Sequence, residues 1–217
     1  MKKFLALTIA IILAYGGLGV SAREAFTDVP ESEWMAPYIY NLVDRGVVSG
    51  YGDGTFGPMN NVQRCEYAKM LVNIADIELV QSASSPYSDV PADQWFFPYV
   101  NSILSLITGY TVNGVLYFKP YEAATREDVT VAMVKALGVD VTQYTDAEGY
   151  LASRFTDWKE ISSHNYEYIV AAVDKGIITG NVDGTFRPHD PITRAEVSII
   201  LCRAFPGENA VPEVEYK

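Results

Sequence analysis

The chain has 217 residues, a formal net charge of −11, two cysteines and 49% hydrophobic residues. Without an N-terminal segment holding Lys2 and Lys3, 14 basic residues face 27 acidic ones, a net charge of −13. Such a balance excludes nucleic acid or an anionic membrane as a bulk electrostatic partner, while a few arginines still suffice for a local anion site.

Residues 1–22 read as a secretory signal peptide. Lys2 and Lys3 give the positive start, an apolar run from Phe4 to Tyr15 follows, and Val20-Ser21-Ala22 is a small-residue cleavage site. The run is shorter than the ~20 apolar residues of an ordinary membrane span. No Cys follows it to make a lipoprotein site and the chain has no hydrophobic C-terminal tail, so no membrane insertion is expected after cleavage. About 195 residues remain, enough for one sizeable core or a few interlocked small ones.

Pro37 opens a helix, with Tyr38, Ile39, Leu42 and Val43 as an apolar stripe ending at Gly46. A turn follows at Gly52-Asp53-Gly54, then a helix from Arg64 with Tyr67, Ala68, Leu71, Val72 and Ile74 inward. Gln63 stands where a capping Thr would be stronger, so this start is weakened by ~1 kcal/mol unless Asn60 or Asn61 caps another register. Residues 76–86 read as a linker. Trp95, Pro98, Tyr99, Val100, Ile103 and Leu104 repeat the first helix pattern, and Asn113-Gly114 predicts a small β-hairpin. A helix from Thr125 then ends at Gly138, and residues 138–154 make a polar connection with a short helical turn. Tyr168, Ile169, Ala172 and Val173 form the next helix, ended by Gly176. Asp183-Gly184 turns the chain into Thr193-Arg194-Ala195-Glu196, a capping box with Ile192 and Val197 as its hydrophobic staple. Residues 206–217 are acidic and proline-bearing and read as a disordered tail.

These elements occur three times. Residues 34–73 align with residues 164–203 without a gap at an offset of 130. A looser middle copy carries Phe118-Lys119-Pro120 and then Thr125-Arg126-Glu127-Asp128. Pro58, Pro120 and Pro188 each precede an arginine by six residues: Arg64, Arg126 and Arg194. An aromatic-x-Asp opens each copy, as Phe26-Thr27-Asp28, Tyr87-Ser88-Asp89 and Phe155-Thr156-Asp157. An internal repeat of about 60 residues is therefore present three times, and one copy alone cannot bury its apolar face.

Phe-x-Asp-Val, then Trp, then Gly-Tyr-x-Asp-Gly-Thr-Phe-x-Pro, then Ile-Thr-Arg-Ala-Glu resembles the S-layer homology (SLH) domain, over residues 26 to about 205. The resemblance implies a mainly α fold of three helix-turn-helix repeats in a pseudo-threefold arrangement, each giving a helix to a shared centre. The repeats are expected at 23–80, 81–140 and 141–205. The implied function is non-covalent anchoring to the bacterial cell wall. In SLH domains the Thr-Arg-Ala-Glu arginine lies in inter-repeat grooves that hold secondary cell wall polymer, often through the carboxylate of a pyruvate-ketal sugar. The motif is intact at Arg194, altered to Arg-Glu-Asp at Arg126, and flanked by Gln63 and Cys65 at Arg64.

From the residues alone, Arg64, Arg126 and Arg194 sit in first helical turns, where free backbone N–H groups and a guanidinium together make a carboxylate or phosphate receptor. The bland alternative is a salt bridge to an acid of a neighbouring copy, with Asp28, Asp89 and Asp157 as candidates. Trp34 and Trp95 stack on a sugar ring or fill the core. Asp28, Asp89 and Asp157 bind sugar hydroxyls or, as favoured here, hold turns. Glu66 and Glu196, beside their arginines, complete the candidate set. His164 falls where Trp34 and Trp95 fall, which alters the third groove.

The Asp-Gly turns lack the alternating acids and closing Glu of a calcium loop, and His and Cys lack zinc spacing, so neither metal nor cofactor is expected. Cys65 and Cys202 lie two turns apart in equivalent helices, which disfavours a bridge needing Cα atoms within ~7 Å. Motif acids are all repeat positions, which suits multivalent binding better than one catalytic centre, so no enzyme is expected. A structural or assembly protein of the envelope, through self-association or a protein partner, is the second reading. A glycan-active enzyme is the third.

Overall fold

The computed structural model describes residues 25–208, 210 and 211. The expected signal peptide lies outside the described residues. Among them the fold is mainly helical: α1 (Ala36–Asp44), α2 (Arg64–Ile74), α3 (Phe97–Ser102), α4 (Arg126–Ala136), α5 (Ala147–Arg154), α6 (Tyr166–Asp174) and α7 (Arg194–Ala204). One antiparallel hairpin joins β1 (Tyr110–Val112) to β2 (Val115–Tyr117). Asn113 and Gly114 both take positive φ at its tip, as a two-residue hairpin turn requires. No helix of the described residues is long and apolar enough to cross a membrane.

The three helix pairs interlock rather than stack. The first helix of each sequence copy packs on the second helix of the preceding copy: α3 on α2, α6 on α4, and α1 on α7. Arg45 closes the last of these joins by donating from Nη1 to the Phe205 carbonyl at 2.8 Å. The second helices α2, α4 and α7 start around a ring of three backbone hydrogen bonds. Val62 N–H donates to Ile192 O (3.0 Å), Ile192 N–H to Ala124 O (3.1 Å), and Ala124 N–H to Val62 O (2.8 Å). Buried Tyr67 ties two copies further, its hydroxyl donating to the Val129 carbonyl at 2.8 Å.

The same ring decides how these helices are capped. The N–H groups of Arg64 and Cys65 donate to Glu122 O and Pro120 O, those of Arg126 and Glu127 to Asp190 O and Pro188 O, and those of Arg194 and Ala195 to Asn60 O and Pro58 O. Each helix start is thus capped by the preceding turn of another copy. This corrects the expectation that these ends present free N–H groups to an anion. It also offsets the weak Gln63 cap: α2 starts with Gln63 at the cap position and no shift to Asn60 or Asn61.

Each copy's opening aromatic covers the phenylalanine of its own turn. Phe26 meets Phe56, Tyr87 meets Phe118 and Phe155 meets Phe186, all at 5.4 Å between ring centroids. The aromatic lies so close to Gly50, Gly109 and Gly180 that a Cβ there would fall 2.2, 2.2 and 2.4 Å from its ring.

Some local expectations shift. Pro37 occupies the second helical position, behind Ala36. Helix α3 stops at Ser102, whose hydroxyl bonds back to the Pro98 carbonyl at 2.8 Å, so Leu104 leaves the apolar stripe and is exposed. The polar connection holds a full eight-residue helix, α5, capped by Asp146 and packed on α6. In the segment expected to be a disordered tail, the described Val211 packs against the core. Cys65 and Cys202 are both buried and unpaired, and burial pushes their thiols up to about 11 and about 12.

Candidate ligand grooves

The interlocked copies leave three comparable grooves, two of them lined by all three copies and the third by copies 2 and 3. Copy 1 supplies one floor through Ser49 and α2, copy 2 adds Trp95 and copy 3 adds Arg194, around about 140 Å³. In the second groove the floor is Thr179 to Asn181 and α7, the wall is Trp34 and the arginine is Arg126, around about 210 Å³. The third has Thr108 to Tyr110 and α4 as floor and His164 as wall, around about 230 Å³. Arg64 is the arginine pointed at that third floor.

All three arginines make the same reach into a neighbouring turn. Arg64 donates from Nε to Phe118 O (2.8 Å) and from Nη2 to Thr108 O (2.7 Å). Arg194 repeats this with Phe56 O (2.9 Å) and Ser49 O (2.8 Å), its guanidinium 4.3 Å from the Phe56 ring centroid. Arg126 donates from Nη2 to Thr179 O and lies 5.3 Å from the Phe186 centroid, but its buried Nε has no partner. The alternative of a salt bridge to a neighbouring copy's acid holds for Arg64, through Asp128 of the second copy, while among the described residues none of the three arginines pairs with Asp28, Asp89 or Asp157.

Beyond that shared reach the three diverge. Arg64 is completely buried, ion-paired to Asp128 and covered by Tyr110 at 4.9 Å. Arg194 is 5% exposed, and Arg126 is half-buried and makes no ion pair among the described residues. Burial pulls the Arg126 pKa down, against the raising effect of Glu196. The motif's intactness therefore does not rank the arginines: the altered copy carries the most accessible one.

The acids explain why Arg64 is closed. Glu66 and Glu196 fold back to their own helix starts, each accepting a cap-residue N–H at 2.8 Å from Gln63 and Thr193. Asp128 holds the equivalent place but is one methylene shorter. Its backbone N–H is capped by Thr125 at 3.1 Å, while its carboxylate takes Arg64 instead. Glu66 and Glu196 thus line grooves while holding helix caps.

Asp28, Asp89 and Asp157 hold turns. Their two oxygens accept consecutive backbone N–H groups: Phe56 and Gly57 at 2.8 and 2.7 Å, Phe118 and Lys119 at 2.8 and 2.7 Å, Phe186 and Arg187 both at 2.7 Å. Trp34 and Trp95 are not core residues, at 45% and 49% exposure. Sequence reasoning missed three groove residues: Lys69, 5.9 Å from the Trp95 ring; Arg203, on the floor beside Arg126; and His189, in the groove of His164. Comparing copies could have flagged Arg203, because copy 1 has Asn73 there. Among the described residues no His, Cys, Asp and Glu side chains gather into a metal-binding cluster.

The family model described as "S-layer homology domain" matches two segments, residues 25–68 and 154–198. These are the copies that align without a gap; the middle copy is not matched. Among similar proteins, the "Surface-layer 125 kDa protein" of Lysinibacillus sphaericus is 26% identical over 99% of this chain and 18% of its own length. An "S-layer protein" of Bacillus thuringiensis subsp. finitimus is 27% identical over 93% of this chain and 24% of its own. An "Amylopullulanase" of Thermoanaerobacterium thermosulfurigenes is 28% identical over 82% of this chain and 9% of its own. The chain therefore spans less than a quarter of the length of each of these relatives.

Proposed function

We propose that residues 23–205 are three SLH repeats that anchor the protein non-covalently to the bacterial cell wall, by holding an anionic saccharide of a wall polymer in the grooves. The matched segments and the S-layer relatives indicate a secreted, cell-wall-associated surface protein. One observation carries the finer reading. In the groove of Trp34 and Arg126, an exposed aromatic faces a half-buried guanidinium that makes no ion pair among the described residues. A sugar ring stacks on the indole while its carboxylate, such as a pyruvate ketal, meets the arginine. The groove of Trp95 and Arg194 is the second site. The groove of His164 is not a site of this kind, because Asp128 already neutralises Arg64. Two weak sites on one body gain by effective concentration. The same kind of site recurs and the motif acids are engaged in turns, helix caps or the Arg64 pair, so the chain is read as a binding module without catalysis.

The test is co-sedimentation of residues 23–217 with cell-wall sacculi, with and without their non-peptidoglycan polymer. Arg126→Ala is expected to weaken binding at least about tenfold, as loss of a charge-assisted contact implies. Arg194→Ala should weaken it less, and Arg64→Ala should lower stability without a specific loss of binding. Equal binding by Arg126→Ala and the parent would defeat the reading. Binding to stripped sacculi would move the ligand to peptidoglycan.

A further inference from the structure

The groove of Trp34 and Arg126 contains a second arginine that the anchoring reading does not use. Arg203, in the last turn of α7, lines the same cavity, and its Nε, like that of Arg126, is buried without a hydrogen-bond partner. Both guanidinium groups are donor forks, and an unpaired buried donor on a charged group is the costliest kind to leave. Ile178, Ile199 and Ile200 line the cavity beside them, so the two unpaired Nε donors sit against apolar side chains. The one acid lining the cavity, Glu196, is engaged at its own helix start with Thr193. Copy 1 carries Asn73 and copy 2 Lys135 at the place of Arg203, so a guanidinium there occurs in this copy alone.

We infer that Arg203 is a second anion-binding residue and that this groove takes a saccharide unit bearing two negative charges, such as a phosphate monoester. The inference rests on the groove being a wall-polymer site. A single carboxylate has two oxygens and fills one guanidinium fork. The second buried Nε–H then stays unpaired. A dianion with three or more oxygens meets both. A cation in a last helical turn also favours the helix dipole, but that role predicts no response of Arg203 to a ligand.

The arginine Nε–H signals of ¹⁵N-labelled residues 23–217 read this directly. Methyl phosphate and malonate serve as dianionic probes and acetate as the monoanion. Both dianions are expected to shift the Arg126 and Arg203 signals and to bind about tenfold tighter than acetate. Arg203→Gln should bring the three affinities within about threefold of one another while Arg126 still responds, and Arg203→Lys should retain part of the preference. Methyl phosphate acting alone places the second charge on a phosphate, and malonate acting equally places it on a second carboxylate; both support the dianion. If Arg126 responds to every anion while Arg203 stays still, or if Arg203→Gln leaves the preference intact, the inference is overturned. Silence of Arg126 towards all three probes would instead remove the groove reading, and this inference with it.

Discussion

Asp157 shows how one residue type serves fold before function. Its carboxylate accepts the N–H groups of Phe186 and Arg187 and so fixes the turn that presents Thr179 to Arg126. A carboxylate holding two backbone donors makes charge-assisted bonds, each worth about 1.5–3 kcal/mol, and removing it leaves the Phe186 N–H without its partner. Asp157→Ala is expected to cost about 2–4 kcal/mol on that basis, read as a lower urea midpoint at unchanged slope. Arg64 makes the complementary point. A side chain one methylene shorter at position 128 turns a helix-cap acid into a counterion and removes one guanidinium from its groove.

At the scale of the element, the turn between the paired helices is the fold's most demanding piece. Gly184 takes positive φ at its tip, and Gly180 sits under Phe155 at its base. A Cβ at position 180 would lie 2.4 Å from the Phe155 ring, with the nearest backbone oxygen, that of Thr185, at 3.2 Å. At position 50 the Cβ would lie 2.2 Å from Phe26 and 2.6 Å from the Thr55 carbonyl. A ring edge can tilt away, whereas a carbonyl within the same turn cannot. Both Gly180→Ala and Gly50→Ala are expected to destabilise by about 1–3 kcal/mol, the usual cost of overpacking, with Gly50→Ala the worse. Thermal unfolding of the two variants side by side checks both the size and the order. The helices themselves were legible: the stripe of Tyr38, Ile39 and Leu42 is buried, and the Asn113-Gly114 hairpin forms as its turn chemistry requires. Residue Leu104 was not, because the Ser102 back-bond that ends α3 gives no periodic signal.

The whole molecule closes on itself. Every second helix takes its first caps from another copy, and every first helix packs on the preceding copy's second helix. A copy expressed alone would expose both that packing face and its capping groups. Residues 141–205 alone are expected to give the circular dichroism of a largely unfolded chain, while residues 23–217 unfold in one transition. Single-tryptophan variants retaining Trp34, Trp95 or Trp158 should share one urea midpoint. Separate midpoints would mean that the copies fold independently.

The sequence alone determined the triple repeat, the helix pairs, the turns and the identity of the three arginines. These are written in spacing, in apolar periodicity and in residues whose backbone needs are local. Tertiary structure alone decided which arginine is accessible, which one an acid neutralises and that the helix starts are already occupied. Those outcomes depend on contacts between residues as far apart as Arg194 and Ser49. Such contacts exist only once the ring of copies has closed, and no local pattern records them.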